Sequence, residues 1–139
     1  MKSKEKDTLQ KLREITGAGV MEVRRAFQEA NGDFDKALAK INQVRGLVDW
    51  LQIDILDSTL IPNSTFREFG ACREIVKDFK LEAHLMVNDP AKYVQPLAKA
   101  GFKRLIAQVE GTMIREFITA ARLHEGIEVG VAIDAPTEL

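Results

Sequence analysis

Beyond residue 47, short apolar runs alternate with longer helical stretches, and no other feature constrains the fold as strongly. Strands are predicted at residues 50–57, 81–87, 104–109 and 128–134. Helices are predicted between them, at residues 66–79, 90–100 and 113–124. Strands that alternate with helices of this length are typical of right-handed βαβ units. We therefore expect residues 47–139 to form an α/β domain around about four parallel strands.

Alternation along these strands separates two faces of the predicted sheet. The residues expected to face the helices are Ile53, Ile55, Leu85, Val109, Val131 and Ile133. The other face carries Gln52, Asp54, Leu56, Glu82, His84, Met86, Ile106, Gln108, Glu110, Gly130, Ala132 and Asp134. Polar groups at the C-terminal ends of parallel strands are typical of ligand sites. The alternative is a face that is solvated only because the sheet is incomplete.

Residues 1–44 show helical periods alone. Apolar side chains recur at three- and four-residue steps, which places them on single helical stripes. They are Leu9, Leu12, Ile15, Val20, Val23, Phe27, Phe34, Ala37, Leu38 and Ile41. Gly17 and the Asn-Gly-Asp turn at residues 31–33 interrupt the pattern twice. We expect a small all-α bundle of three helices, with a domain boundary within residues 42–47.

The composition of the 139 residues excludes several classes of protein. The net charge is −1, which gives no basic field for nucleic acid. No apolar run approaches the ~20 residues that span a bilayer, and no signal peptide is read. Cys72 is the only cysteine, so we expect it to be a buried or half-buried helix residue, without a disulfide or a thiolate metal cage. We expect a cytoplasmic protein with no nucleic-acid or membrane partner.

The N-terminal half resembles a known family through two motifs. Residues 12–21 read Leu-Arg-Glu-Ile-Thr-Gly-Ala-Gly-Val-Met, and residues 29–37 read Glu-Ala-Asn-Gly-Asp-Phe-Asp-Lys-Ala. Over roughly residues 8–42 they resemble the N-terminal ubiquitin-associated (UBA)-type domain of bacterial elongation factor Ts. The resemblance implies docking onto elongation factor Tu. The protein-binding residues that it implies are Thr16, Gly17, Gly19, Val20 and Met21.

The nucleotide-exchange segment of that family is missing. The family reads Thr-Asp-Phe-Val just after the bundle, whereas residues 42–46 read Asn-Gln-Val-Arg-Gly. We therefore expect docking without exchange activity. The alternative is a bundle that serves only folding or solubility.

The second half resembles the ribulose-phosphate 3-epimerase family, whose members are ribulose-phosphate-binding barrels. Residues 50–58, Trp-Leu-Gln-Ile-Asp-Ile-Leu-Asp-Ser, match its His-x-Asp-x-Met-Asp-Gly strand, and residues 61–63 match its Val-Pro-Asn loop. Residues 82–87, Glu-Ala-His-Leu-Met-Val, match its His-Leu-Met-Val segment. The resemblance covers about residues 48–137. It implies strands two to five of an eight-stranded TIM-type (β/α) barrel, which is an incomplete barrel.

The resemblance also implies a reaction, the epimerisation of a pentulose 5-phosphate. In the family, two aspartates on opposite sides of the substrate remove and return the proton beside the keto group. A divalent metal of the zinc, iron or manganese type, held by two histidines and those aspartates, stabilises the enediolate. Carried onto this sequence, Asp54 is the first catalytic aspartate and a metal ligand, and His84 is the second metal histidine. Met86 and Asn63 match substrate-binding positions.

Several positions depart from the family pattern. Gln52 stands at the first metal histidine, and an amide is a poor ligand for such ions, so we expect weak metal binding. Leu56 replaces a methionine, and Ser58 replaces a glycine. The second catalytic aspartate belongs on the seventh strand of the barrel, which is not among the strands predicted here. His84 therefore has three interpretations: a sheet histidine bonded to Asp54, a residual metal or anion site, or part of a working catalyst. We expect weak or absent epimerase activity in the isolated chain.

A sheet of about four strands has two unpaired edges, which favour association. Homo-oligomers through these edges, a cover formed by the N-terminal bundle, or another chain would protect them. A two-fold pair of half-barrels would bring two Asp54 and two His84 side chains to one mouth. Two alternatives to an epimerase-like protein remain: a protein-binding module with the half-barrel as scaffold, and a fusion, natural or engineered, without joint function.

Overall fold

Four parallel strands form the sheet of the computed structural model, which describes residues 39–65, 67, 69–134 and 137. The strands are β1 (Trp50–Ile55), β2 (Lys80–Leu85), β3 (Arg104–Gln108) and β4 (Glu128–Ala132), hydrogen-bonded in sequence order. Every neighbouring pair is parallel. The predicted α/β architecture is confirmed and is consistent with part of a TIM-type barrel. Each strand ends one or two residues before its predicted C-terminal boundary.

The connections between the strands contain shorter helices than the sequence predicts. They are a 3₁₀ helix (Phe69–Glu74), a 3₁₀ turn (Ala91–Tyr93) that leads into α1 (Val94–Ala100), and α2 (Ile114–Arg122). The α-helix predicted over residues 66–79 is wrong, because its described part is the 3₁₀ helix followed by turns. Gly70 and the β-branched pair Ile75 and Val76 lower the helical propensity of this segment. None of the described helices is long and apolar enough to cross a membrane.

Gly101 ends α1, as the sequence predicts. Its φ is +98°, and its N–H donates to the carbonyl of Ala98, while the N–H of Phe102 donates to the carbonyl of Leu97 at 3.1 Å. This is the Schellman arrangement, whose left-handed residue is usually glycine. The turn directs Phe102 into the core, where its side chain is buried.

One face of the sheet packs against these helices and forms the core. Ile53, Ile55 and Leu85 are buried there, as predicted. Other large members include Leu51, Leu81, Leu105, Phe69, Ile75, Phe79, Tyr93, Leu97, Phe102 and Phe117. Cys72 is buried in the 3₁₀ helix, also as expected. Because each fully buried aliphatic side chain contributes about 1.5–3 kcal/mol, this packing holds the sheet as a rigid platform.

The chain that enters β1 is attached to the same core. Ile41, in helical residues 39–42, and Val44 are both buried in it. Arg45 forms an ion pair with Asp78 and a hydrogen bond with Asn42. The predicted three-helix bundle lies mostly within residues 1–38, outside the described residues, and the domain boundary stays a prediction. The predicted docking residues Thr16, Gly17, Gly19, Val20 and Met21 also lie outside them.

Within the described residues, β4 is an edge strand of the sheet. The Glu128 N–H and the Ala132 carbonyl each form a 2.9 Å backbone hydrogen bond towards β3. In a parallel ladder, the N–H and C=O groups of Val129 and Val131 then point away from β3. Val131 is 52% exposed and Ile133 is 44% exposed, so the expectation that both face helices is wrong. The reason is that, within the described residues, no helix covers this end of β4.

Candidate functional site

The strand register places polar side chains in rows on the face opposite the core. We call this the polar face, and it consists of Gln52, Asp54, Glu82, His84, Arg104, Ile106, Gln108 and Glu128. Its N-terminal row runs from Gln52 through Glu82 and Arg104 to Glu128. The next row places Asp54 directly beside His84. Charged groups therefore occupy the N-terminal end, and the predicted metal ligands Asp54 and His84 lie closer to the C-terminal ends of the strands.

Asp54 and His84 form the centre of the polar face. The Gln52 side-chain amide donates a 2.7 Å hydrogen bond to Oδ1 of Asp54, and Nδ1 of His84 lies 3.8 Å from the same oxygen. That separation is too long for a hydrogen bond between the two side chains. Asp54 is buried, whereas the His84 side chain is 19% exposed, so the pair is reachable from one side. The structure thus brings together the predicted catalytic aspartate and the predicted metal-binding histidine.

Gln108 is the hydrogen-bond partner of His84. Its Oε1 lies 2.8 Å from Nε2 of His84, and the Gln108 side chain is buried. The interpretation of His84 as a sheet histidine beside Asp54 is met as a 3.8 Å contact, within ion-pair distance but too long for a hydrogen bond. The sequence places Gln108 on this face by alternation alone, and nothing in its residue type marks it as functional. The signal that identifies it is the register of β2 with β3, which the sequence does not reveal.

A charged cluster occupies the N-terminal end of the polar face. Arg104 donates 2.7 Å hydrogen bonds to both Glu82 and Glu128, and its guanidinium lies 4.2 Å from the ring centroid of Trp50. Glu82 is buried, and a buried carboxylate is stable only with a compensating charge. The cluster therefore fixes the side chains at the N-terminal end of the polar face.

Hydrogen bonds between loops fix the rim of the sheet at the C-terminal ends of the strands. The Thr65 hydroxyl donates to the Asp54 carbonyl at 2.8 Å, which folds the loop after β1 back onto the strand. The Thr59 hydroxyl in that loop accepts from the Asn88 N–H at 2.9 Å. The Asn88 carbonyl in turn accepts from the Thr112 N–H at 2.7 Å. The loops after β1, β2 and β3 are thus tied to one another.

Asp57 anchors the same rim. One carboxylate oxygen accepts a 2.6 Å hydrogen bond from the Tyr93 hydroxyl, the other accepts from Thr59, and Nζ of Lys92 lies 3.4 Å away. Burial by itself raises the pKa of the Asp57 carboxyl. The bonds from Thr59 and Tyr93 and the charge of Lys92 outweigh burial and lower the pKa to about 2. Asp57 is therefore a permanently ionised anchor at neutral pH.

The sequence profile of the ribulose-phosphate 3 epimerase family matches residues 26–139. The chain belongs to this family. It is 37% identical over 83 residues to the cytoplasmic isoform of ribulose-phosphate 3-epimerase from Oryza sativa subsp. japonica. This match covers 58% of the chain and 36% of that relative. It is 34% identical over 108 residues to the ribulose-phosphate 3-epimerase of Rhodobacter capsulatus. That match covers 76% of the chain and 46% of the relative. The chain thus spans less than half the length of these relatives.

A shorter match concerns a second family. Over 41 residues the chain is 54% identical to elongation factor Ts of Corynebacterium jeikeium. The matched stretch is 30% of the chain and 15% of that relative. Because the match is short, it supports the resemblance of the N-terminal half to elongation factor Ts only in part.

Four further positions of the epimerase family pattern have defined surroundings. Leu56 and Met86, which follow β1 and β2 directly, are both buried. Ser58, at the family's glycine, has a φ of +66°, in the left-handed region where glycine is favoured. Asn63 is exposed in the loop after β1, and its side-chain oxygen accepts from the Ser64 N–H at 2.8 Å.

The donor set does not fit the metal that the epimerase family implies. Across the described part of the chain, no group of three or more His, Cys, Asp or Glu side chains is arranged to hold an ion. Gln52, at the first metal histidine, directs its amide N–H towards Asp54 and so presents hydrogens instead of a lone pair. Asp54 and His84 supply two ligands, whereas zinc-type sites take three or four from the protein.

Proposed function

We propose that this chain is a divergent ribulose-phosphate 3-epimerase-like protein that binds a pentulose 5-phosphate against its polar face. The observation that supports this most directly is the pairing of Asp54 with His84 across β1 and β2. Membership of the epimerase family supports a sugar phosphate as the class of ligand. The tied rim around this pair supports a site with fixed geometry.

In this proposal Asp54 removes the proton on the carbon beside the keto group. The carboxylate gains that proton, and the electrons of the broken C–H bond move into an enediolate. Return of the proton to the same face restores the starting sugar, whereas inversion needs a second acid on the opposite side of the substrate. Asp54 supplies one of the two groups, so we propose that epimerisation by the isolated chain is weak or absent.

A divalent metal has a minor place in the proposal. Asp54 and His84 are the residues that would contact it, and we expect weak binding because Gln52 has replaced a histidine.

Ligand binding tests the proposal without requiring turnover. Ribulose 5-phosphate is titrated into the ¹⁵N-labelled chain, and amide shifts are followed by NMR. We expect the largest changes at residues 52–58, 82–88 and 106–110, and their loss in a His84→Ala variant. Titration with inorganic phosphate separates sugar recognition from anion binding. Shifts that scatter over other surfaces, or that phosphate reproduces fully, would contradict the proposal.

We also propose that the open edge at β4 pairs with a second copy. The exposed Val131 and Ile133 and the outward backbone groups of β4 support this. A dimer would bring a second Asp54 to the assembly. Light scattering should give twice the chain mass, and a Val131→Lys variant should give the monomer mass. A wild-type monomer at high concentration would refute the pairing.

A second candidate function is docking onto elongation factor Tu through the N-terminal residues. The short match to elongation factor Ts supports it. Purified elongation factor Tu should be retained by the immobilised chain, and a Val20→Asp/Met21→Asp variant should lose that retention. No retention by the wild-type chain would remove this function. A cytoplasmic location stays a prediction from the sequence.

A further inference from the structure

We propose that Gln108 is a positioning residue that holds His84 in the tautomer protonated at Nε2. Nδ1 of His84 is then a hydrogen-bond acceptor beside Asp54. This assignment follows from side chains on β2 and β3 and is independent of any bound metal. Only its consequence for the ligand depends on the proposed function.

The contact between Gln108 and His84 is short and buried on one side. Oε1 of Gln108 lies 2.8 Å from Nε2 of His84, within the normal range of a hydrogen bond. Gln108 is only 3% exposed, so water does not readily replace it as the partner. A carbonyl oxygen can only accept a hydrogen bond, so Nε2 must carry the proton in this pair.

The other end of the Gln108 amide, Nε2, is buried without a hydrogen-bond partner among the described residues. The next acidic residue along the chain is Glu110, in the turn at residues 109–110 that follows β3. The Asp134 N–H donates to Glu110 at 2.7 Å. That bond is the main reason why the pKa of the Glu110 carboxyl lies below its usual range, and the Gln108 side chain contributes to the lowering. An ionised carboxylate favours the NH₂ end of the amide over its oxygen, although no hydrogen bond joins the Gln108 and Glu110 side chains.

The tautomer determines which chemical group fits between His84 and Asp54. With Nε2 protonated, Nδ1 presents a lone pair 3.8 Å from Oδ1 of Asp54. Two acceptors at this spacing select a ligand group that donates a hydrogen bond. If the proposed function holds, that group is a hydroxyl of the sugar.

Imidazole ¹⁵N shifts test the tautomer directly. Long-range ¹H–¹⁵N spectra of the labelled chain are recorded at a pH alkaline enough to keep imidazoles neutral. A His124→Gln variant assigns the two histidines. We expect His84 to show a protonated Nε2 and an unprotonated Nδ1. In Gln108→Met, which keeps the length but lacks the acceptor, the tautomer ratio should move by about tenfold towards Nδ1–H, the effect of one net hydrogen bond. Gln108→Glu retains an acceptor and should restore the wild-type ratio.

Each outcome decides the proposal. A wild-type His84 protonated at Nδ1, or an unchanged ratio in Gln108→Met, would overturn it. If Gln108→Met does not fold, Gln108→Asn replaces it, because the shorter side chain withdraws the same acceptor while keeping the amide. The tautomer is measured without substrate, so failure of sugar binding with the Nε2–H tautomer present would remove the proposed function and leave the role of Gln108 intact.

Discussion

Replacement of Asp57 by asparagine tests whether the rim depends on a charged anchor. The Asp57 side chain is only 3% exposed, and its carboxylate receives hydrogen bonds from Thr59 and Tyr93. Its pKa falls from an ordinary value of 3.8 to about 2, which corresponds to about 2 kcal/mol of stability. Because the folded-state pKa is lowered, this contribution is complete above pH 3.8 and disappears as the pH falls towards 2. An asparagine keeps the shape of the side chain but not the charge.

Urea unfolding, followed by Trp50 fluorescence and circular dichroism, measures the effect. At neutral pH, Asp57→Asn should lower the free energy of unfolding by about 2 kcal/mol, and the difference from the wild-type chain should shrink as the pH approaches 2. The control is Glu74→Gln, since the Glu74 side chain is 64% exposed and should contribute less than about 0.5 kcal/mol. Tyr93→Phe combined with Asp57→Asn should be less than additive, because both changes remove the same hydrogen bond. Equal stabilities at neutral pH, or a difference that persists unchanged in acid, would refute the reasoning.

Three further predictions concern the core, a turn and the charged cluster. Burial raises the pKa of the Cys72 thiol to about 12, so a thiol reagent should label Cys72 only as fast as the chain unfolds, and rapid labelling of the native chain would contradict this. Gly101→Ala places a Cβ 3.2 Å from Val76 at a φ of +98°, whereas Gly126→Ala meets nothing within 4 Å at +79°. Thermal unfolding should therefore show a loss of about 1–2 kcal/mol for Gly126→Ala and about 1 kcal/mol more for Gly101→Ala. Arg104→Met leaves Glu82 without its partner and should lower the free energy of unfolding by about 2–3 kcal/mol. Glu128→Gln, at an exposed position, should lower it by under about 1 kcal/mol. Equal losses would show that Glu82 does not need Arg104.

The strands were predictable because their side chains repeat with a period of two. Ile53 and Ile55 alternate with Gln52 and Asp54, and the structure buries the apolar pair against the helices. The prediction failed at Val131, which follows the same pattern, because alternation assigns a residue to a face but does not say whether a helix covers it. The segment at residues 66–79 failed for a different reason, since apolar spacing suits an α-helix and a 3₁₀ helix with turns about equally well in so short a stretch.

The candidate site was predictable only where residue type carries chemistry. Alternation places Asp54 and His84 on one face, their match to functional positions of the epimerase family singles them out, and the strand register places them side by side. Gln108 was not singled out, because its role depends on a contact between β2 and β3 that no local pattern encodes. Ser58 shows the reverse case: its place at a family glycine marks an unusual backbone, and the structure gives it a φ of +66°.

Exchange of the sugar's own proton for deuterium is the most direct test of the proposed role of Asp54. Ribulose 5-phosphate is incubated with the chain in deuterium oxide, and proton NMR follows the hydrogen on the carbon beside the keto group. We predict exchange above the protein-free background, little or no inverted product, and a rate about 100-fold lower in Asp54→Asn, the size of one general base. Glu74→Gln, the same acid-to-amide change at an exposed position of the 3₁₀ helix away from the polar face, should leave the rate unchanged. Exchange that Asp54→Asn does not reduce, or no exchange at all by the wild-type chain, would contradict the assignment of Asp54 as the proton-removing group.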